Sequence, residues 1–116
     1  MEDIFLKVEP LGTLYIEDIL LYYIYPRCFV CRNDNGNKYI LYEIESSQHT
    51  DVWAVCNISE SDLESIKSKK SSIQEIYRKH ECMRLIYDYE IQSTYLETSN
   101  EVIDKLPKIE VYYEIQ

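Results

Sequence analysis

From residue 20 to residue 58 the chain is a succession of short runs rich in β-branched and aromatic side chains, separated by polar turn residues. Runs of that composition fit the pleated, half-buried surface of a sheet. They predict strands near 20–25, 27–33, 38–45 and 52–58. The preceding stretch, LYIEDILLYYIYP from Leu14 to Pro26, admits two readings: a strand broken by Glu17-Asp18, or a short helical turn followed by a strand. Its second half favours strand, and Pro26 belongs at an edge or at the start of the next strand. Asn35-Gly36 suits a type I′ turn, which needs φ > 0 at both central positions. On that turn Asp34 faces Asn37, Arg32 faces Tyr39, Val30 faces Leu41 and Cys28 faces Glu43. Phe29 and Cys31 then share a face with Ile40 and Tyr42, while Cys28, Val30, Tyr39 and Leu41 share the other. After the polar connection ESSQHTD, the run VWAVCNI supplies a third strand, and the whole makes an antiparallel meander.

The period then changes. Ser59 is placed to cap a helix with Asp62 reaching back to it, and Ile58 with Leu63 forms the accompanying hydrophobic staple. Only Leu63 and Ile66 make an apolar stripe, so this helix, over 60–68, is short. Ser71 or Ser72 caps a second helix over 72–80, where Ile73, Ile76, Tyr77 and His80 recur at helical spacing. The segment 83–96 reads as one long strand or two, residues 100–107 as a helical turn, and 109–115 as a last strand. The fold expected is α+β, one domain over 1–116, with helices covering one face of an antiparallel sheet.

Composition narrows the functions open to such a fold. A chain of 116 residues is long enough to bury roughly 65% of its unfolded surface. No stretch approaches the ~20 apolar residues of a membrane span, and the acidic start MEDIF lacks the basic region of a signal peptide. A cytoplasmic protein is expected. The net charge is −9, unevenly spread. Residues 1–58 hold nine acids and four bases, residues 85–116 hold seven and two, and residues 59–84 hold five and six. Half of all positive charge thus lies between Lys67 and Arg84. An acidic remainder does not suit direct contact with nucleic acid, which requires clustered Lys and Arg. It suits a partner with a basic surface. Two glycines are too few for a Gly-rich phosphate loop.

The motif that most invites chemistry is Cys28-x-x-Cys31. Zinc and redox sites bring both sulfurs to one side of a tight turn or helix start. Phe29 and Val30 between them are strand formers, and in a strand positions i and i+3 point to opposite faces. Core packing is therefore expected for both thiols. A wider zinc set recruiting Cys56, His80 and Cys82 matches no standard spacing, and no metal or other cofactor is expected. Asn33-Asp34-Asn35-Gly36-Asn37 fails as a calcium loop, since Tyr42 stands where a bidentate Glu is needed. His49 and His80 lack a nucleophile-elbow sequence beside them. His80 is expected at a helix C-terminus, in contact with its dipole. Glu43/Glu45 and Asp88/Glu90, spaced i, i+2, are expected to share a wet strand face rather than to perform acid–base work.

The pattern YYIYPRCFVCRNDNGNKYILYEIE…VWAVCNISESDLESI resembles an uncharacterised family of small bacterial domains of unknown function, over residues 14–80. That family has an aromatic-x-x-Pro opening to its strand, a hairpin, a third strand ending in a Ser-capped helix, and a second short helix. Cys28 stands where the family usually has an apolar residue. The resemblance implies the meander-plus-helices fold and a bacterial or phage origin, and carries no activity.

Twelve tyrosines against two Phe are the remaining peculiarity. Tyr offers large contact area with a polar tip, as interfaces favour. The function expected is a non-enzymatic protein-interaction protein acting as an inhibitor, antitoxin-like or anti-defence partner, with no catalytic residues. Its partner is another protein with a basic surface, such as a nucleic-acid-acting enzyme, and not a membrane. The expected docking residues are Tyr87, Asp88, Tyr89, Glu90, Tyr95, Glu97, Glu110, Tyr112, Tyr113 and Glu114. Two alternatives stand beside it: an accessory or sensor domain holding a small anion at Lys67, Lys69, Lys70, Arg78 and Lys79, and a zinc-supported module.

Overall fold

In the computed structural model, which describes residues 3–106, seven strands neighbour one another in space in the order in which they occur in the chain. They are β1 (Asp3–Val8), β2 (Gly12–Tyr23), β3 (Tyr25–Arg32), β4 (Lys38–Ser46), β5 (Thr50–Ile58), β6 (Cys82–Asp88) and β7 (Ser93–Thr98). Every pairing is antiparallel. Two short helices, α1 (Glu60–Lys67) and α2 (Ile73–Arg78), connect β5 to β6, and a 3₁₀ turn (Glu101–Lys105) follows β7. The edge strands β1 and β7 approach within 8 Å between Cα atoms, so the sheet curls. The expected α+β meander is the observed fold. The strand expected over 109–115 lies outside the described residues.

β1 was not foreseen, because DIFLKV alternates only briefly before Pro10 ends it. The expected segment 83–96 is two strands, reversed by a turn in which Asp88 Oδ1 accepts from the N–H groups of Glu90 (2.9 Å) and Ile91 (3.3 Å). The ambiguity over residues 14–26 resolves as strand throughout except at Ile24: residues 14–23 run within β2, with a bulge between Ile16 and Asp18, and Tyr25 and Pro26 open β3. A bulge sets two residues against one partner. Here it lets both carboxylates find cations: Glu17 meets Arg32 at 3.2 Å and Lys38 at 3.1 Å, and Asp18 meets Lys67 at the end of α1.

Both helix starts are as the sequence predicts. Ser59 and Ser72 each accept from the N–H three residues on, and Asp62 and Glu75 return the bond. Leu63 and Ile66 of α1, and Ile73, Ile76 and Tyr77 of α2, are buried against one sheet face beside Leu20, Cys28, Val30, Ile40, Ala54, Cys56 and Cys82. His80 differs from expectation: α2 ends at Arg78, and the imidazole Nε2 lies 2.9 Å from Asp62 Oδ2, joining the end of one helix to the start of the other. Burial alone would raise the Asp62 carboxyl, but the Ser59 N–H and His80 outweigh it and hold it below its usual value. The Tyr77 hydroxyl reaches the sheet, donating to the Ala54 carbonyl at 2.7 Å and lying 3.1 Å from that of Ile40.

The opposite, inner face of the curl carries a second apolar layer of Val8, Leu14, Phe29, Cys31, Tyr39, Leu41, Trp53, Val55 and Leu85. Cys28 and Cys31 therefore belong to different layers and project to opposite faces, as strand geometry requires. Burial pushes the Cys31 thiol up to about 12 and raises those of Cys28 and Cys56 further still, which makes them inert packing groups at neutral pH.

The β3–β4 register is a correction. Arg32 faces Lys38, Cys31 faces Tyr39, Val30 faces Ile40, Phe29 faces Leu41 and Cys28 faces Tyr42. The cause is the turn. The Gly36 N–H bonds the Asn33 carbonyl and the Asn33 N–H bonds that of Asn37, both at 3.0 Å; only Gly36 has positive φ (84°) within this turn. That is a three-residue loop closed by a glycine bulge rather than a two-residue type I′ turn. One residue of slip exchanges the faces of a strand. Tyr39 and Leu41 accordingly join Phe29 and Cys31 inside, while Ile40 joins Cys28 and Val30 under the helices.

Asn33 holds this turn. Its buried side chain accepts from the N–H groups of Asn35 (3.1 Å) and Asn37 (3.0 Å) and donates to the Leu11 carbonyl (3.0 Å) in the β1–β2 turn. Asn33→Ala should lower the unfolding free energy by about 2 kcal/mol, read as an earlier midpoint in urea with an unchanged slope.

Candidate functional site

An antiparallel meander places alternate turns at opposite ends of the sheet. The β1–β2 and β3–β4 turns share one end with the helical connection. The β2–β3, β4–β5 and β6–β7 turns share the other, which the helices leave uncovered. There the Tyr89 N–H bonds the His49 carbonyl at 2.8 Å, and His49 Nδ1 lies 2.7 Å from Glu90 Oε1, joining the β4–β5 and β6–β7 turns.

This open end gathers large exposed apolar side chains. The β2–β3 reversal is a single residue, Ile24, between the paired Tyr23 and Tyr25. Ile24 has φ of 70° and is 74% exposed, with Tyr22, Tyr23 and Tyr25 exposed around it. Tyr89 and the 66%-exposed Ile91 stand in the β6–β7 turn. A β-branched residue in the left-handed region is strained by roughly 1–2 kcal/mol, and nothing in the packing of so exposed a side chain offsets that cost.

Behind Tyr25 the inner face opens as an apolar cleft of about 150 Å³, lined by Phe5, Ile16, Tyr25, Pro26, Phe29 and Trp53. Phe5 meets Phe29 and Trp53 edge to face, with ring centroids 4.9 and 5.2 Å apart. The Trp53 indole N–H is buried and has no acceptor among the described residues. Polar groups ring the mouth. Arg27 lies 3.7 Å from the centroid of Tyr25 and pairs with Glu43 Oε1 at 2.7 Å, and Tyr25 donates to the same oxygen at 2.7 Å. Asp51 accepts from Ser46 Oγ at 2.9 Å and from the Tyr89 hydroxyl, and Tyr89 packs edge to face on Tyr87, 4.9 Å between centroids.

The expected docking residues divide. Tyr87 borders the inner layer and Tyr89 joins it at the cleft mouth. Asp88 and Glu90 shape and brace the adjoining turn. Tyr95 and Glu97 lie on the other face, along a groove with Glu45, Thr50, Val52, Arg84 and Ile86, where Glu97 is held by Arg84. Glu110, Tyr112, Tyr113 and Glu114 fall outside the described residues. The expectation that Glu43 and Glu45 share a face is corrected: a bulge between them sets Glu43 opposite Trp53 on the inner side and Glu45 opposite Val52 on the outer. Lys67, Lys69, Lys70, Arg78 and Lys79 line the exposed side of the helices and their connections, with Lys67 answering Asp18. Sequence reading missed Phe5, Tyr25, Arg27, Asp51 and Trp53, which are 48 positions apart at most and meet only through the curl. The single available signal was the aromatic cluster Tyr22-Tyr23-Ile24-Tyr25 at a predicted strand end.

These features define a curled, single-sheet α+β protein, helix-covered on one face, with an aromatic cleft on the other and a strained apolar turn beside it. The chain belongs to a family of unknown function (DUF6575), whose profile matches residues 2–116. No curated protein and no solved structure matches it. Among the described residues no helix is long and apolar enough to cross a membrane.

The Tyr89 phenol is pushed up to about 12, first by its hydrogen bond to Asp51 and then by burial, and burial raises Tyr77 well above 10. The folded protein thus retains protons that the unfolded chain releases near pH 10. The stability these two phenols contribute is full below pH 10 and falls as the pH climbs toward 12. Thermal melts across that range should show the fall, and Tyr89→Phe should make it shallower.

Proposed function

We propose that this protein is a non-enzymatic docking module that binds a basic, apolar-edged surface of another protein through the uncovered end of its sheet. The observation that carries the reading is Ile24. A strained, β-branched, largely exposed residue at a hairpin tip is poorly explained by folding, since Asn or Gly would take that backbone more easily. Its value lies in the apolar knob it presents. Such outliers cluster at binding and switch sites, and exposed aromatics rimmed by polar groups mark interaction surfaces.

Charge points the same way. Asp51, Asp88 and Glu90 stand among these apolar side chains, Glu45 lies on the adjoining strand end, and the neighbouring Arg27 is already committed to Glu43. A basic partner would be steered toward such a face and fixed there by the apolar contacts. Where that partner surface normally holds phosphate, docking blocks it, as an inhibitor, an antitoxin-like partner or an anti-defence factor would. Direct binding to nucleic acid has no support in so acidic a chain.

Ile24→Asn separates folding from docking. The variant should fold with unchanged or slightly greater stability, by up to about 1 kcal/mol, yet bind its partner at least about tenfold more weakly. Co-purification from the native host, wild type against variant at low and high ionic strength, makes the comparison. Partner recovery that is equal for both chains, or insensitive to salt, removes respectively the apolar or the electrostatic half of the proposal.

A further inference from the structure

The cleft behind Tyr25 is a separate feature from the exposed tip, although Tyr25 contributes to both. It is lined almost wholly by apolar and aromatic side chains, and its volume of about 150 Å³ is the size of site that takes up a single benzene-sized group. The ring of Trp53 forms part of its wall.

The mouth is chemically lopsided. Glu43 is neutralised by Arg27, whose guanidinium is also held over the Tyr25 ring. Asp51 is bonded instead by two hydroxyls, those of Ser46 and Tyr89, and no cation pairs with it among the described residues. We infer that this cleft receives one aromatic or branched side chain of the docking partner, and that a basic residue adjoining that anchor in the partner's chain pairs with Asp51. The inference rests on the docking reading above and adds to it the local chemistry of what is recognised: an apolar anchor next to Lys or Arg. Complementary charge at the mouth, and continuity through Tyr25 with the exposed tip, favour a segment of the partner over a free apolar metabolite.

The protein contains a single tryptophan, so one indole N–H resonance reports on the cleft. The probes are N-acetyl-Phe-Arg-amide, N-acetyl-Phe-Glu-amide and benzyl alcohol, titrated into the intact, isotopically labelled chain. The arginyl dipeptide should shift the indole resonance saturably, and the glutamyl dipeptide should bind about fivefold more weakly. Asp51→Asn should abolish that difference without preventing binding, and Ile16→Phe, which fills the cleft, should abolish the shift. Because Ile16→Phe risks disturbing the inner layer, Asp51→Asn carries the charge test by itself. A shift with benzyl alcohol equal to that with the arginyl dipeptide, and no charge preference, overturns the inference in favour of a small-molecule pocket. Silence from both dipeptides overturns it outright, while leaving the docking surface intact if Ile24→Asn still loses the partner. A charge-selective response alongside undiminished partner binding by Ile24→Asn supports the cleft chemistry and sinks the exposed tip instead.

Discussion

The side chain of Asn33 decides which face of the sheet is which. Buried at the end of β3, it closes the following turn with two accepted hydrogen bonds and ties that turn to the β1–β2 connection with a donated one. The turn it stabilises has three residues rather than two, and that single residue sets every cross-strand pair between β3 and β4. Strand side chains alternate with a period of two, so the alternative turn would expose Tyr39, Leu41 and Glu43 to the helices and turn Ile40 and Tyr42 inward. Glu43 would then be unable to meet Arg27, and Trp53 would lose its neighbour across β4.

From that register follows a sheet buried on both faces. One layer is capped by α1 and α2, the other is enclosed by the curl of the sheet itself. A two-sided core explains why runs such as Cys28-Phe29-Val30-Cys31 and Val52 to Cys56 are continuously apolar although every strand is antiparallel. Alternation of hydrophobic and polar residues is the signature of a half-solvated sheet, and here the central strands have no solvated side. The thiols serve as small apolar groups in both layers, their ionisation suppressed by burial.

The same topology distributes the exposed chemistry of the surface. Helices seal one end and one face, and the three turns at the other end are left to solvent. That end is where backbone strain, carboxylate charge and exposed aromatic area coincide. Bulges in β2 and β4 sharpen the division: the first delivers two acids to cations near the helices, and the second separates Glu43 from Glu45 so that one serves the cleft and the other the outer groove. A rigid sheet that carries exposed aromatic and charged groups on one set of turns is an arrangement that suits the docking proposed for it.

Local chemistry was sufficient to specify the helices, because a capping box and an i, i+3, i+4 stripe involve residues within one or two turns of each other. Ser59 with Asp62, and Ile73 with Ile76 and Tyr77, needed no distant partner to declare themselves. The opposite orientation of Cys28 and Cys31 was equally legible, since it depends only on the pleat of one strand. Register was not, because Asn35-Gly36 satisfies two turn types and the choice was made by a side chain, Asn33, whose third hydrogen bond goes to a residue 22 positions away. The cleft was invisible for a related reason: Phe5, Tyr25, Phe29 and Trp53 lie on three strands, β1, β3 and β5, and only the curl of the sheet brings their rings together. What a sequence settles alone is whatever a residue negotiates with its near neighbours, and contacts closed across strands are left for the folded chain to choose.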